Sequence, residues 1–258
     1  MDDDTHFTPQ MVIAQATKPR GLRVEQLGVA PVVVLAWSVA VVRSLAEAVG
    51  GALSEHWIYR ERHPLYRAEM DGRPVTFAHV PVGAAGTIMM MEEMVAAGAR
   101  AFWGLGAGGS LQEAAPIGTC IIPTSAISEE GTSAHYVEAG TPLVPDPRLV
   151  TIVEASCRAE GIAALTGTLW TTDAPYRETR AKIAAYRRAG VLGVDMETSA
   201  MHAFGQVRGV SVCNLLPISD ELWREWRFGG PVFGDARWRA EKAILWSVTM
   251  RPAEIDRQ

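Results

Sequence analysis

The stretch "GVLGVDMETSAMHAF" (190–204) sets two carboxylates, Asp195 and Glu197, on either side of Met196, where an apolar run gives way to a helix-like one. A further acid, Asp220, follows the apolar run that ends in "PISDEL" (217–222). Acids at such points have two uses. They cap the helix or turn that follows, which is the commoner fate of a lone Asp, or they act on a ligand by stabilising charge or carrying a proton. A third polar strand end, "WGLGAGGS" (103–110), holds four glycines, which let a backbone turn tightly or come close to a ligand. Its spacing fits neither the GxGxxG dinucleotide fingerprint nor the phosphate loop ending in GK[ST].

The elements that must position these groups alternate along the chain. Strand-like runs are "APVVVLAW" (30–37), "PVTFAHVPVG" (74–83), "RAFWGLGAGG" (100–109), "GTCIIPTSAISEEG" (118–131), "IAALTGTLWTTD" (162–173), "VLGVDME" (191–197) and "VSVCNLLPISD" (210–220). Between and after them lie helix-like runs at 38–51, 87–99, 146–161, 177–190, 198–209 and 236–250. This predicts an α/β fold: one three-layer domain over 1–258, with a mixed central sheet, helices on both faces and 1–29 as an N-terminal extension. Such sheets bind ligands beyond the carboxyl ends of their strands, where all three polar stretches fall.

Composition narrows the function. With 258 residues, 48% apolar and 21% charged, the chain can bury one sizeable core. A formal charge of -5 argues against a broad nucleic-acid or anionic-membrane surface, so the expected partner is a small molecule. Cys120, Cys157 and Cys213 lack CxxC or metal spacing, which predicts reduced thiols and a cytoplasmic location. The acidic opening "MDDDTHFTPQ" does not read as a targeting signal, and no apolar run reaches the roughly 18 to 20 residues of a membrane span. No His, Cys, Asp or Glu cluster has metal spacing, so no metal or organic cofactor is expected.

Taken together, the polar strand ends resemble the nucleoside phosphorylase and nucleosidase superfamily, which includes uridine phosphorylase, hexameric purine nucleoside phosphorylase and methylthioadenosine nucleosidase. The resemblance runs from about residue 74 to about residue 222. It is carried by "EEMVAAGARAFWGLGAGGSLQ", "PIGTCIIPTSAISEEGTSAHY", "GVLGVDMETSAMHAFGQVRGV" and "ISDEL", with "TTDAPYRET" (171–179) as the loop of the base pocket. It implies a phosphorylase-type fold and cleavage of the N-glycosidic bond of a nucleoside. Glu197 would accept from the ribose 2'- and 3'-hydroxyls, Met196 would cover the apolar face of the sugar, and Asp220 would assist the departing base. Asp195 stands where the family usually has a glutamate. Gly106, Ala107 and Gly108 would pass under the nucleophile. Tyr176 and Arg177 would face the base, and His135 and Tyr136 would line the site from the "EGTS" loop. The family also implies a homodimer or homohexamer, in which an N-terminal histidine, here His6, would reach a neighbouring site.

The departures concern the nucleophile. Phosphorolytic members carry a Gly-Asp-Pro-x-x-Arg type loop after the first strand and an arginine and a hydroxyl in an "RxGSxG" or "RxGTxG" strand end. Here those places hold Trp37 and Ser38, Gly104 and Ala107. Phosphorolysis, with inorganic phosphate as co-substrate, therefore lacks its usual anion ligands. Hydrolysis is the alternative, since "GLGAGG" is close to the "GxAGG" of the nucleosidases, although their water-activating glutamate is also missing. A non-catalytic nucleoside-binding protein is the second alternative.

Overall fold

The computed structural model describes residues 5–256. The ends of the expected domain, 1–4 and 257–258, lie outside the described residues.

In chain order the elements are α1 (Pro9–Thr17), β1 (Val32–Ala36), α2 (Val39–Ala48), β2 (Ala52–Leu53), β3 (Leu65–Met70), β4 (Arg73–His79), α3 (Ala84–Ala96), β5 (Ala101–Leu105), β6 (Gly108–Ser110) and β7 (Cys120–Glu129). There follow α4 (Pro147–Ala159), β8 (Ala164–Thr172), α5 (Arg180–Arg188), β9 (Gly193–Asp195), α6 (Thr198–Arg208), β10 (Ser211–Glu221), β11 (Arg227–Phe228) and α7 (Gly230–Thr249).

β1 shows why the chain folds in three layers. All five of its residues are apolar and buried, because both of its faces are covered. Val32, Val34 and Ala36 pack with α2, α4 and α7, while Val33 and Leu35 pack with α1, α3 and α6. The side-chain period of two thus feeds two cores from one strand. Cys120, Cys157 and Cys213 are buried free thiols in the first of these cores.

The strand order is β2-β3-β4-β1-β5-β10, after which β10 continues into β6-β9-β8-β7, and β7 pairs back onto β10. Five strands therefore close a ring beside the open sheet. β10 can serve both because it is long. Its first half runs parallel to β5 and its second half runs parallel to β6. The register slips between Ile218 and Asp220, leaving Ser219 as an extra residue. Such a bulge re-aims the side chains around it, and here it falls beside Asp220.

The expected alternation is present, with differences at its margins and breaks. The run 100–109 is two strands, because Gly106 and Ala107 break it and send β6 into the ring. The extension at 1–29 contains α1, whose Ile13 is buried in the second core. β3 was not expected, because its burial alternates at the sheet margin rather than being continuous. Its signal was the Asp71-Gly72 turn into β4, both residues with positive φ (52° and 71°), the conformation a tight hairpin demands.

Candidate active site

The carboxyl ends of β1, β9 and β10, together with the segments that follow β4 and β5, border a cleft of about 970 Å³. That volume suits a small ligand.

Glu197 forms part of its floor. It is buried, and it sits between β9 and the first turn of α6. The N–H of Gly83 donates to Glu197 Oε1 at 2.6 Å. Gly83 precedes α3 with φ of 98°, a backbone that favours glycine and turns this N–H toward the carboxylate. A carboxylate has about four acceptor positions, so capacity remains on the cleft side. Burial, and then the charge of Asp195, push the Glu197 carboxyl well above its usual range. Met196 lies beside it and also lines the cleft.

Asp195 borders the cleft, but its oxygens are already engaged. Thr171 Oγ1 donates to Oδ1 at 2.8 Å, and Thr198 donates to Oδ2 through both its N–H (3.0 Å) and its hydroxyl (2.5 Å). It therefore ties β8 to the start of α6 and holds Glu197 in place. A carboxylate that the resemblance did not single out, Glu130, reinforces this from behind. It accepts from Ser128 and Ser199 hydroxyls and from the N–H groups of Thr132 and Ser133. Burial would raise its carboxyl, and those donors more than offset that, leaving it low.

Asp220 faces the cleft at the β10 bulge. Ser219 Oγ donates to Oδ1 at 2.7 Å and Trp226 Nε1 to Oδ2 at 2.9 Å. Glu178 lines the same end, and burial followed by the Asp220 charge raises its carboxyl to about 7. Arg180 and Arg224 are the cations in the lining, and Arg224 is ion-paired with the buried Glu221.

At the β1 end the lining is Trp37, Val82, Ala107 and Gly108. Trp37 is pinned by its Nε1, which donates to Thr87 Oγ1 at 2.8 Å. It lies against Gly106, where an added Cβ would stand 3.1 Å from the indole and 2.8 Å from Leu216. Gly106 itself does not line the cleft and instead admits Trp37. The space beside Gly104 is filled by Asn214, whose Oδ1 would be 2.2 Å from an added Cβ.

Five further expected residues fall as follows. Tyr176 lines the cleft mouth and is fully exposed. Arg177 does not, because the short 3-10 turn at Pro175–Arg177 leaves it on the exposed side and brings Glu178 inward instead. His135 is exposed away from the cleft. Tyr136 is held elsewhere, donating to Glu92 at 2.8 Å and packing on Phe204. His6 is exposed. The lining residues Trp37, Glu178, Arg180, Arg224 and Trp226 were not among the expected site residues; the last two lie in the Trp- and Arg-rich segment that follows β10.

Among the described residues there is no helix long and apolar enough to cross a membrane and no group of three or more metal-binding side chains. Comparison with known proteins gives a consistent assignment. A guanosine phosphorylase of Halorubrum lacusprofundi is 24% identical over 169 residues, 66% of this chain and 70% of that protein. The uridine phosphorylase of Escherichia coli is 23% identical over 150 residues, 53% of this chain and 59% of that one, so the chain spans less than two thirds of that relative's length. A purine nucleoside phosphorylase from Toxoplasma gondii, solved in complex with immucillin-H, shares the fold with a TM-score of 0.80 and 24% identity, covering 89% of this chain and 93% of that one. The family model of the phosphorylase superfamily matches residues 31–241, and the chain is a member of that superfamily of enzymes.

Proposed function

We propose that the cleft binds a nucleoside and that the protein cleaves its N-glycosidic bond. The observation that carries this reading is Glu197: a buried carboxyl beside Met196, anchored on one side by Gly83 and open to the cleft on the other. An ionised carboxylate accepts both hydroxyls of a vicinal diol in charge-assisted bonds. Its ionised form is disfavoured by burial and by Asp195, so it gains most when a positive charge forms nearby, as at C1' in an oxocarbenium-like transition state. At the other end, Asp220 and Glu178 offer carboxyl groups to a departing base.

The nucleophile in this reading is inorganic phosphate, giving ribose 1-phosphate, in keeping with the relatives named guanosine, uridine and purine nucleoside phosphorylases. This reading calls for no organic cofactor or metal. A homodimer or homohexamer would let a neighbouring copy supply a cation. A second reading, hydrolysis by water, is favoured by one observation: Trp37, Val82, Ala107 and Gly108 offer no charged side chain where phosphate would sit. A dianion there without cationic donors would be poorly held.

Product analysis separates the two. Purine and pyrimidine nucleosides are incubated with and without inorganic phosphate, and the sugar product is identified. Ribose 1-phosphate formed only with phosphate supports phosphorolysis, free ribose in both conditions supports hydrolysis, and no base release from any nucleoside removes the reading.

A further inference from the structure

The two carboxyl groups at the α5 end of the cleft differ in what they can still do. Both oxygens of Asp220 accept hydrogen bonds from protein donors, Ser219 Oγ and Trp226 Nε1. The bulge at Ser219 fixes that orientation from the backbone. Glu178 lines the same end on a separate loop, and among the described residues its side chain has no hydrogen bond or ion pair to protein. The other charged groups that line the cleft with it are Asp195, Glu197, Asp220, Arg180, Arg224 and Glu225. Arg224 is committed to Glu221, which it meets at 2.5 Å. Asp220 is the neighbour whose charge acts on Glu178.

We propose that Glu178, and not Asp220, carries the proton delivered to the departing base, while Asp220 serves as a fixed acceptor that orients it. The preferred substrates are then nucleosides whose base leaves with an acceptor nitrogen that can be protonated, the purine class. The proposal rests on the glycosidic cleavage proposed above. As the C1'–N bond breaks, its electron pair passes into the base, and a base nitrogen takes the proton from the Glu178 carboxyl. The nucleophile's oxygen forms the new bond to C1' and releases its proton to solvent, from which the Glu178 carboxylate is reprotonated. A group that is half protonated near neutral pH suits this role, since a proton donor works best when its pKa lies close to the working pH.

The test compares guanosine with 7-methylguanosine, whose base departs without needing a proton. Glu178→Gln is expected to lower kcat on guanosine by about 10²-fold or more, with little change in KM, and to remove the alkaline fall of the pH profile. On 7-methylguanosine its kcat should stay within a few-fold of the wild type. If Asp220→Asn gives that leaving-group pattern and Glu178→Gln slows both substrates alike, or neither, the proposal is overturned. Wild-type protein that releases no base from any nucleoside, with or without phosphate, overturns the underlying reading instead. An activity-independent check follows the Glu178 carboxyl by NMR: its titration midpoint should lie near neutral pH and drop in Asp220→Asn. A midpoint in the ordinary carboxylate range counts against the proposal.

Discussion

The two ends of the cleft are built from opposite materials. Toward β1 the walls are an indole, a valine side chain and a glycine-rich backbone, held by Trp37 in the space that Gly106 leaves open. Toward α5 the walls carry Glu178, Asp220, Arg180, Arg224 and Glu225. Between them sits Glu197, buried against Asp195. The contrast teaches that the chain gathers its charge at the middle and the α5 end of the cleft and leaves the β1 end apolar and backbone-lined, which in the proposed reading is where the nucleophile would enter. In that reading the nucleophile would be water, or an anion whose cations come from outside the single chain.

That contrast can be broken most severely at its centre. Glu197→Ala should reduce kcat/KM by about 10³-fold, as expected when a charge stabiliser of the transition state is removed, while circular dichroism stays native. A residual rate within tenfold of the wild type would mean that the sugar is activated by something else. Next in size, Gly106→Ala drives a methyl into Trp37 and Leu216 and should cost about 1–3 kcal/mol by denaturant unfolding. It should also perturb tryptophan fluorescence, because the Trp37 indole, with Leu216, is one of the two groups the new methyl crowds. At the charged end, Trp226→Phe removes the Nε1–H donor to Asp220. We expect roughly a tenfold lower kcat, of the order of one hydrogen bond to a charged group, and an unchanged fold.

The smallest effect sharpens the electrostatic side. The Glu197 carboxyl is raised in the folded protein, so the folded state binds a proton that the unfolded state has released above the ordinary carboxylate range. Stability therefore falls as pH rises through that window. Glu197→Gln should flatten this dependence, and above neutral pH it should unfold at a higher temperature than the wild type while being nearly inactive. Equal melting temperatures across the pH range would argue that Glu197 is not under strain.

Much of this was legible in the sequence where a local pattern decides the outcome. The continuous apolar run of β1 and the alternation of strands with helices gave the three layers, and the strand-end motifs led to Glu197, Met196 and Asp220. What was hidden depends on partners distant in sequence. Asp195 is engaged by Thr171, which no spacing rule ties to it. Tyr136 is drawn away by Glu92 and Phe204. Arg177 and Glu178 are neighbours in the chain, and only the path of one 3-10 turn decides which of them faces the cleft. Trp226 reaches Asp220 because β11 folds back onto β10, pairing Phe228 with Asp220.

The central claim is that Glu197 promotes cleavage of a nucleoside's glycosidic bond, and its most direct test is release of free base by wild-type protein and Glu197→Ala side by side, over a nucleoside panel with and without phosphate. The account predicts base release by the wild type that falls about 10³-fold in the variant whichever nucleophile is used. Base release that is unchanged in the variant, or absent from the wild type with every nucleoside, would contradict it.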